Sequence, residues 1–294
     1  MAKIKSTGGD YPVPEPKVRW AGIAFFIVIH LVGLIGTPVY LWHNGGATAA
    51  EWTLFTVFFF ATSFSITMGY HRLFAHPTYK ANSLVRFLLL FFGAATFEQS
   101  ALKWSSQHRQ HHQFTDTDRD PYNINRGFWY AHMNWILLFK HRVNYANVPD
   151  LQKSKLVMSQ HHLYSLWSVG GGIILPLAIG FLIGHPFGSF IMAVCLRLVL
   201  VIHSAFFINS YAHMFGTRNY DGTISARDNW LGAILTNGEG YHNFHHKFPH
   251  DYRNGIRWFH WDPTKWIIFG LSKIGWTWDL KKTPQELIDT SWQV

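Results

Sequence analysis

The chain has 294 residues, 48% of them hydrophobic and only 14% charged, with 25 Phe, 14 Trp and 12 Tyr. A soluble domain of this length carries about 25% charged residues, so the composition argues against an ordinary water-soluble fold. The net charge of +9 reads as membrane topology plus attraction to anionic headgroups, and not as a nucleic-acid surface.

In chain order, a polar tail over residues 1–17 is punctuated by Pro12, Pro14 and Pro16 and lacks the form of a cleavable signal peptide. Four apolar stretches follow at Val18–Trp42, Trp52–Tyr70, Leu166–Gly184 and Phe187–Asn209. Each approaches or exceeds the ~20 residues that cross a hydrocarbon core as helix. A fifth stretch, Leu84–Ala101, is apolar at first and turns polar at Glu98-Gln99-Ser100. It reads as a re-entrant or interfacial helix, with a short fifth span as the alternative. Of the 25 basic residues, 24 lie in residues 1–19, in the segment Arg72–Lys155 or in Arg218–Lys282. The positive-inside rule makes that side cytoplasmic. The expected fold is an all-α integral membrane protein, with four transmembrane helices and a cytosolic helical cap carrying a histidine-rich site. One domain spans 18–282, with the cap at 71–165 and 210–282, followed by a C-terminal tail at 283–294. The one basic residue left over, Arg197, falls inside the fourth stretch and either pairs with a carbonyl or snorkels. The single cysteine, Cys195, also lies in that stretch, which excludes an intrachain disulfide and thiolate ligands.

Three histidine clusters stand just beyond the apolar stretches: His71 and His76; His108, His111 and His112; His242, His245 and His246. Neutral imidazole suits iron, copper and zinc. Residues three and four apart share a helix face, so each triplet can point at one spot. A spacing of five fits a straight helix less well, so His71 and His76 are expected to straddle a helix end. His213, one turn after Asn209, brings the count to nine, too many for one metal, and two metals are the simplest reading. Carboxylate-bundle and His-Glu-x-x-His patterns are absent. An imidazole-rich pair of metals beside lipid suits oxygen chemistry on an apolar substrate, although affinity order alone favours copper or zinc over iron. Metal-bound imidazoles donate their second N–H to carboxylates or carbonyls. The candidates are Glu239, Asp116, Asp118, Asp120 and Asp251, with a solvated acidic turn as the alternative for 116–120. His30 and His203, inside the stretches, are expected to bond neighbouring helices.

These clusters resemble those of the membrane-bound fatty acyl desaturases, close to the stearoyl-type, delta-nine branch. The resemblance is carried by Gly69-Tyr-His-Arg-Leu-Phe-Ala-His76, Asp120-Pro-Tyr-Asn123, Arg126-Gly-Phe-Trp129, Asn209-Ser-Tyr-Ala-His213 and Gly238-Glu-Gly-Tyr-His-Asn-Phe-His-His246, and runs from about Trp20 to Asp279. It implies two iron ions held by His71, His76, His108, His111, His112, His213, His242, His245 and His246, with Asn209 reaching one through water. It implies a mushroom-shaped fold and a kinked acyl tunnel, with Trp104 near the kink, Phe206 in the wall and Phe59 closing the end. The implied reaction is oxygen-dependent insertion of a cis double bond into a saturated long-chain acyl group, with O2 as co-substrate. The chain departs from the animal acyl-CoA enzymes at Ser106-Gln107, where they carry Arg-Asp against the CoA headgroup. The acyl group is therefore carried by CoA, a lipid or an acyl-carrier protein. Electrons are expected from a separate donor: a ferredoxin, a cytochrome-b-type haem protein or a reductase. The compact chain suggests a bacterial inner membrane. A hydroxylase with the same histidine boxes, or a non-catalytic metal-binding membrane protein, are the alternatives.

Overall fold

The computed structural model describes residues 11–292. Lys3 and Lys5, counted above among the tail's basic residues, lie outside them. Four helices are long and apolar enough to cross a membrane: Trp20–His43, Ala49–Ala75, Tyr164–Leu182 and Pro186–Met214, here spans 1 to 4. Span 2 begins at a capping box, in which the Thr48 hydroxyl accepts from the Glu51 N–H and Glu51 accepts from the Thr48 N–H. It outruns its expected end at Tyr70, because its last eleven residues, Ser65–Ala75, continue as π-helix. Span 4 is the centre of the bundle. Of its apolar window 61% is buried, against 22% for span 1 and 28% for span 3. The outer spans therefore turn faces such as Leu31, Leu34, Ile35, Phe181 and Leu182 outward, as lipid requires. Spans 1 and 4 touch at Gly33, where a side-chain carbon would lie 3.1 Å from the Leu196 backbone.

Arg197 is fully buried in span 4. Its guanidinium donates to the carbonyls of Ala193 at 2.7 Å, Ala95 at 3.0 Å and Gly172 at 2.9 Å. Of the two readings left open, carbonyl pairing holds. Ala95 caps the helix Ser83–Ala94, so the charge binds span 4 to span 3 and to the fifth apolar stretch. That helix has 12 residues, about 18 Å of rise against a hydrocarbon core of ~30 Å. It is too short to cross.

The cap covers one end of the bundle. Ser83–Ala94 and the helix Ala101–Phe114, opened by Ser100 as N-cap, enclose a core with the end of span 2, including Tyr70, Phe74, Leu90, Leu102 and Ile268. Two short antiparallel pairs close it, Lys80–Ala81 with Thr277–Trp278 and Glu15–Pro16 with Phe139–Lys140. The segments expected as tails are partly folded onto it. Tyr11 is buried against Phe114, and Ile288 of the helix Gln285–Ser291 packs with Tyr220 and Phe244.

Replacing Arg197 by Leu removes three hydrogen bonds from a charged group in an apolar interior, each worth about 1.5–3 kcal/mol. The expected outcome is a large fall in the melting temperature of the detergent-solubilised protein, measured by fluorescence-detected size exclusion. Arg197→Lys, which cannot span all three carbonyls, should fall in between.

Candidate metal centre

All nine histidines converge, but not on one spot. One group comprises His71, His76, His108, His112 and His245, the other His111, His213, His242 and His246; within each group the ligand atoms lie within 4.8 Å of one another. The helical triplets are thus split, contrary to the expectation that each points at a single place. Successive residues turn by about 100°, so i and i+4 stay together while i+3 departs to the other side. His108 and His112 face one group and His111 the other; His242 and His246 face one and His245 the other. The groups abut where the rings of His112 and His246 stack at 4.1 Å.

The five-residue spacing of His71 and His76 is resolved by the π-helix. The His76 N–H donates to the His71 carbonyl at 3.1 Å, an i→i+5 bond that brings residues five apart onto one face. Their ring centroids are 4.9 Å apart. His213 arrives through the bend at Ser210 near the end of span 4.

The outer nitrogens are held. His111 Nδ1 donates to Asp120 Oδ1 at 2.8 Å, and His71 Nδ1 lies 2.7 Å from Glu239 Oε2. Ser225 donates its hydroxyl hydrogen to Asp116, so it accepts from His213 Nδ1, 2.7 Å away. Three of the proposed carboxylate supports therefore stand behind histidines, one through a serine that no sequence pattern marked. Asp118 and Asp251 do not. Asp118 is exposed and pairs with Arg126, and Asp251 binds Arg253 and the Thr283 N–H. Glu239 is enclosed further by Arg72 and by Asn254 Nδ2 at 2.5 Å. Burial by itself would raise its pKa, but Arg72 and His71 hold the carboxyl below its usual range.

With their outer nitrogens donating, His71, His111 and His213 present Nε2 lone pairs inward. Burial, reinforced by neighbouring imidazoles, holds His76, His108, His112, His242, His245 and His246 well below the ordinary histidine range. Neutral rings with converging lone pairs repel unless a cation lies between them. The closest Nε2 pairs stand 2.8 Å (His76 to His108) to 3.2 Å (His111 to His246) apart. Nitrogens about 2.1 Å from a shared ion stand about 3 Å apart at right angles. The donor set therefore fits two metal ions.

A narrow cavity opens beside this centre, lined by His71, His108, Asn209 and Glu239 and by apolar side chains including Ile66, Ile136 and Phe206. Trp104 also lines it and stacks on His108 at 4.8 Å. Phe59 does not line it. Phe59 is half-buried between Phe55 and Phe60, whereas its neighbour Phe58 turns into the core. A wider cavity shares Glu98, Gln99, Ile136 and Phe206 with the first and carries Arg19, Lys103 and His161. Where the two meet, Phe97 and Gln99 adopt positive φ of 61° and 80°. They flank Glu98, whose Oε1 is buried without a partner.

Burial raises the Glu98 pKa from 4.5 to about 8. Between those values the folded chain keeps a proton that the unfolded chain releases, so Glu98 makes stability fall as pH rises through this window. Glu98→Gln removes the effect: its melting temperature should exceed wild type at pH near 8 and converge with it near pH 4.5. Parallel curves at all pH values would overturn the assignment.

Residues 50–278 match the family model described as fatty acid desaturase. A probable acyl-CoA desaturase of Schizosaccharomyces pombe is 40% identical over 266 residues, 88% of this chain and 56% of that protein. Acyl-CoA desaturase 1 of Saccharomyces cerevisiae is 44% identical over 243 residues, 80% of this chain and 47% of that protein. Stearoyl-CoA desaturase of Capra hircus is 36% identical over 283 residues, 93% of this chain and 77% of that protein. The chain spans about half the length of the two yeast proteins. These relatives are eukaryotic, so the expectation of a bacterial inner membrane finds no support and is withdrawn.

Proposed function

Because this chain belongs to the fatty acid desaturase family, we propose that it inserts a cis double bond, at the delta-nine position, into a saturated long-chain acyl-CoA. The reading is carried by one observation: two abutting groups of converging imidazoles, one of which presents His71 and His108 to a cavity with largely apolar walls. The two metals are iron, with the nine histidines as ligands and Asn209 reaching one of them through water. When bound, the iron pair supplies the oxygen chemistry that unactivated methylenes require. O2 is the oxidant, and two electrons come from a separate donor protein docking on the basic cap. The cap faces the cytoplasm, a reading that the placement of basic residues supports.

The chain's own residues set the rest. Glu239, Asp120 and the Ser225–Asp116 pair hold the outer N–H of His71, His111 and His213 respectively, so that each ring keeps its lone pair turned inward. Trp104 and Phe206 form walls that hold the acyl chain and exclude water. Ser106, standing where animal enzymes have arginine, donates to the Asn144 carbonyl and offers no charge to a headgroup. Arg19 and Lys103 in the wider cavity supply positive charge for phosphate instead, and the names of the relatives favour CoA as the carrier.

Two experiments test this reading. Expressed in a host without oxygen-dependent desaturation, wild type should add cis-monoenes to the fatty acids seen by gas chromatography, and His111→Ala should add none. Hydroxylated chains in their place would make the chain a hydroxylase. Metal content by mass spectrometry should show two irons per chain. His76→Ala and His213→Ala, one from each group, should each lose about one, since deleting a ligand or its support costs 10–100-fold or more in affinity.

A further inference from the structure

Three histidines outside the metal groups form a hydrogen-bonded chain across three elements. His30 of span 1 meets His203 of span 4, Nε2 to Nε2, at 2.8 Å. His203 Nδ1 meets Nε2 of His132, in the cap segment 130–137, at 2.8 Å. His132 Nδ1 meets Ser210 Oγ at 2.9 Å. At the outer end, His30 Nδ1 lies 2.6 Å from the Phe26 carbonyl. At the inner end, Ser210 Oγ lies 2.9 Å from the Phe206 carbonyl.

The direction of the chain follows from donor and acceptor rules. A carbonyl only accepts, so neutral His30 carries its hydrogen on Nδ1 and accepts at Nε2. His203 must then donate from Nε2 and accept at Nδ1. His132 likewise donates from Nε2 and accepts the Ser210 hydroxyl at Nδ1. The Phe206 carbonyl keeps the Ser210 backbone N–H at 3.2 Å. Three neutral rings and one hydroxyl thus satisfy every link without charge. Burial agrees with this at His132, whose pKa is pushed down to about 4.

Both ends of the chain lie on phenylalanines whose rings stack on each other, 6.1 Å apart and 5° from parallel. His30 stacks on Phe26 at 5.7 Å, and His132 stands edge-on to Phe206 at 5.8 Å. Phe26 and Phe206 line the wider cavity, and Phe206 also lines the cavity beside the metal groups. Hydrogen bonds and ring stack therefore close a loop through span 1, span 4 and the cap.

We infer that this loop is a clamp that fixes the Phe26–Phe206 wall of the acyl channel and so sets which methylene pair lies at the metal centre. The inference rests on the desaturation reading. A saturated chain has no polar handle along its length, so adjacent methylenes are distinguished only by how the walls place them. His203, the middle link, is a positioning residue. Leucine there leaves the His132 N–H and the His30 Nε2 without partners, and the wall is then held by ring contacts alone.

The test compares wild type, His203→Leu, His203→Gln and His30→Leu in the same host, supplied with saturated chains of graded length. Bond position is read by mass spectrometry after derivatising the alkene, and metal content is measured in parallel. Both leucine variants should keep their metal and raise the ratio of neighbouring positional isomers about tenfold, which is about 1.4 kcal/mol between competing placements. Glutamine, which can donate and accept, should restore the wild-type pattern. Unchanged isomer ratios in the leucine variants overturn the clamp, as does a shift with His203→Leu that His30→Leu does not share. If His203→Leu fails to fold, His30→Leu on the outer span decides alone. An absence of alkene from wild type overturns the desaturation reading itself and with it this one.

Discussion

The guanidinium of Arg72 sits in a fully buried pocket between two carboxylates. Its Nε and Nη2 reach Glu239 Oε1 at 3.1 and 2.9 Å, and its Nη1 reaches Asp262 Oδ2 at 3.1 Å and the Tyr252 carbonyl at 2.9 Å. Arg72 follows His71 in the chain, while Glu239 stands beside the outer nitrogen of that same histidine. One turn of span 2 thus places a metal-facing imidazole and binds the carboxylate that orients it. Asp262 also caps the helix Pro263–Lys273, whose buried Lys265 donates to three carbonyls. Removing Arg72 would leave two buried carboxylates without their shared cation, at a cost of about 3–5 kcal/mol. This mutual need holds the third histidine box against the second span.

Helix irregularity does a related job on the apolar side. Each span contains a π-helical segment: Leu31–Gly36, Ser65–Ala75, Gly170–Ile174 and Phe190–Leu196. In span 2 the i→i+5 bonds bring His71 and His76 together. In span 3 the glycines let the Gly172 carbonyl approach Arg197, and a side chain there would collide with Phe97 and the Ala95 backbone. Wider helical turns thus admit contacts that regular α-helix would hold apart.

Burial acts in opposite senses on the two kinds of ionisable group around the cavity. It keeps imidazoles neutral and available as ligands, and it keeps Glu98 protonated at the junction of the two cavities. Charge is confined to the ring of residues behind the histidines, where each carboxylate has a donor, and to the basic rim at Arg19 and Lys103. A largely apolar interior between these two zones is what a saturated chain would need.

The four spans, the nine histidines and three of their supporting carboxylates were legible in the sequence. Hydropathy is a property of short windows, and ligand chemistry is a property of residue type. Span 2 ran past its expected end at Tyr70 as π-helix, and span 4 ran past Asn209 to Met214 through a short α-helix. The division of the histidines into five and four was not legible, since it depends on how two helices are rotated relative to each other. The same holds for Phe59: a one-residue turn of span 2 puts Phe58 in the core instead. Arg72 and Glu239 are 167 positions apart, and His30 and His203 are 173 apart. Residue type and local pattern determined what chemistry this chain carries. Only the tertiary fold decided which groups share it, because those pairings arise where distant segments are brought out of water together.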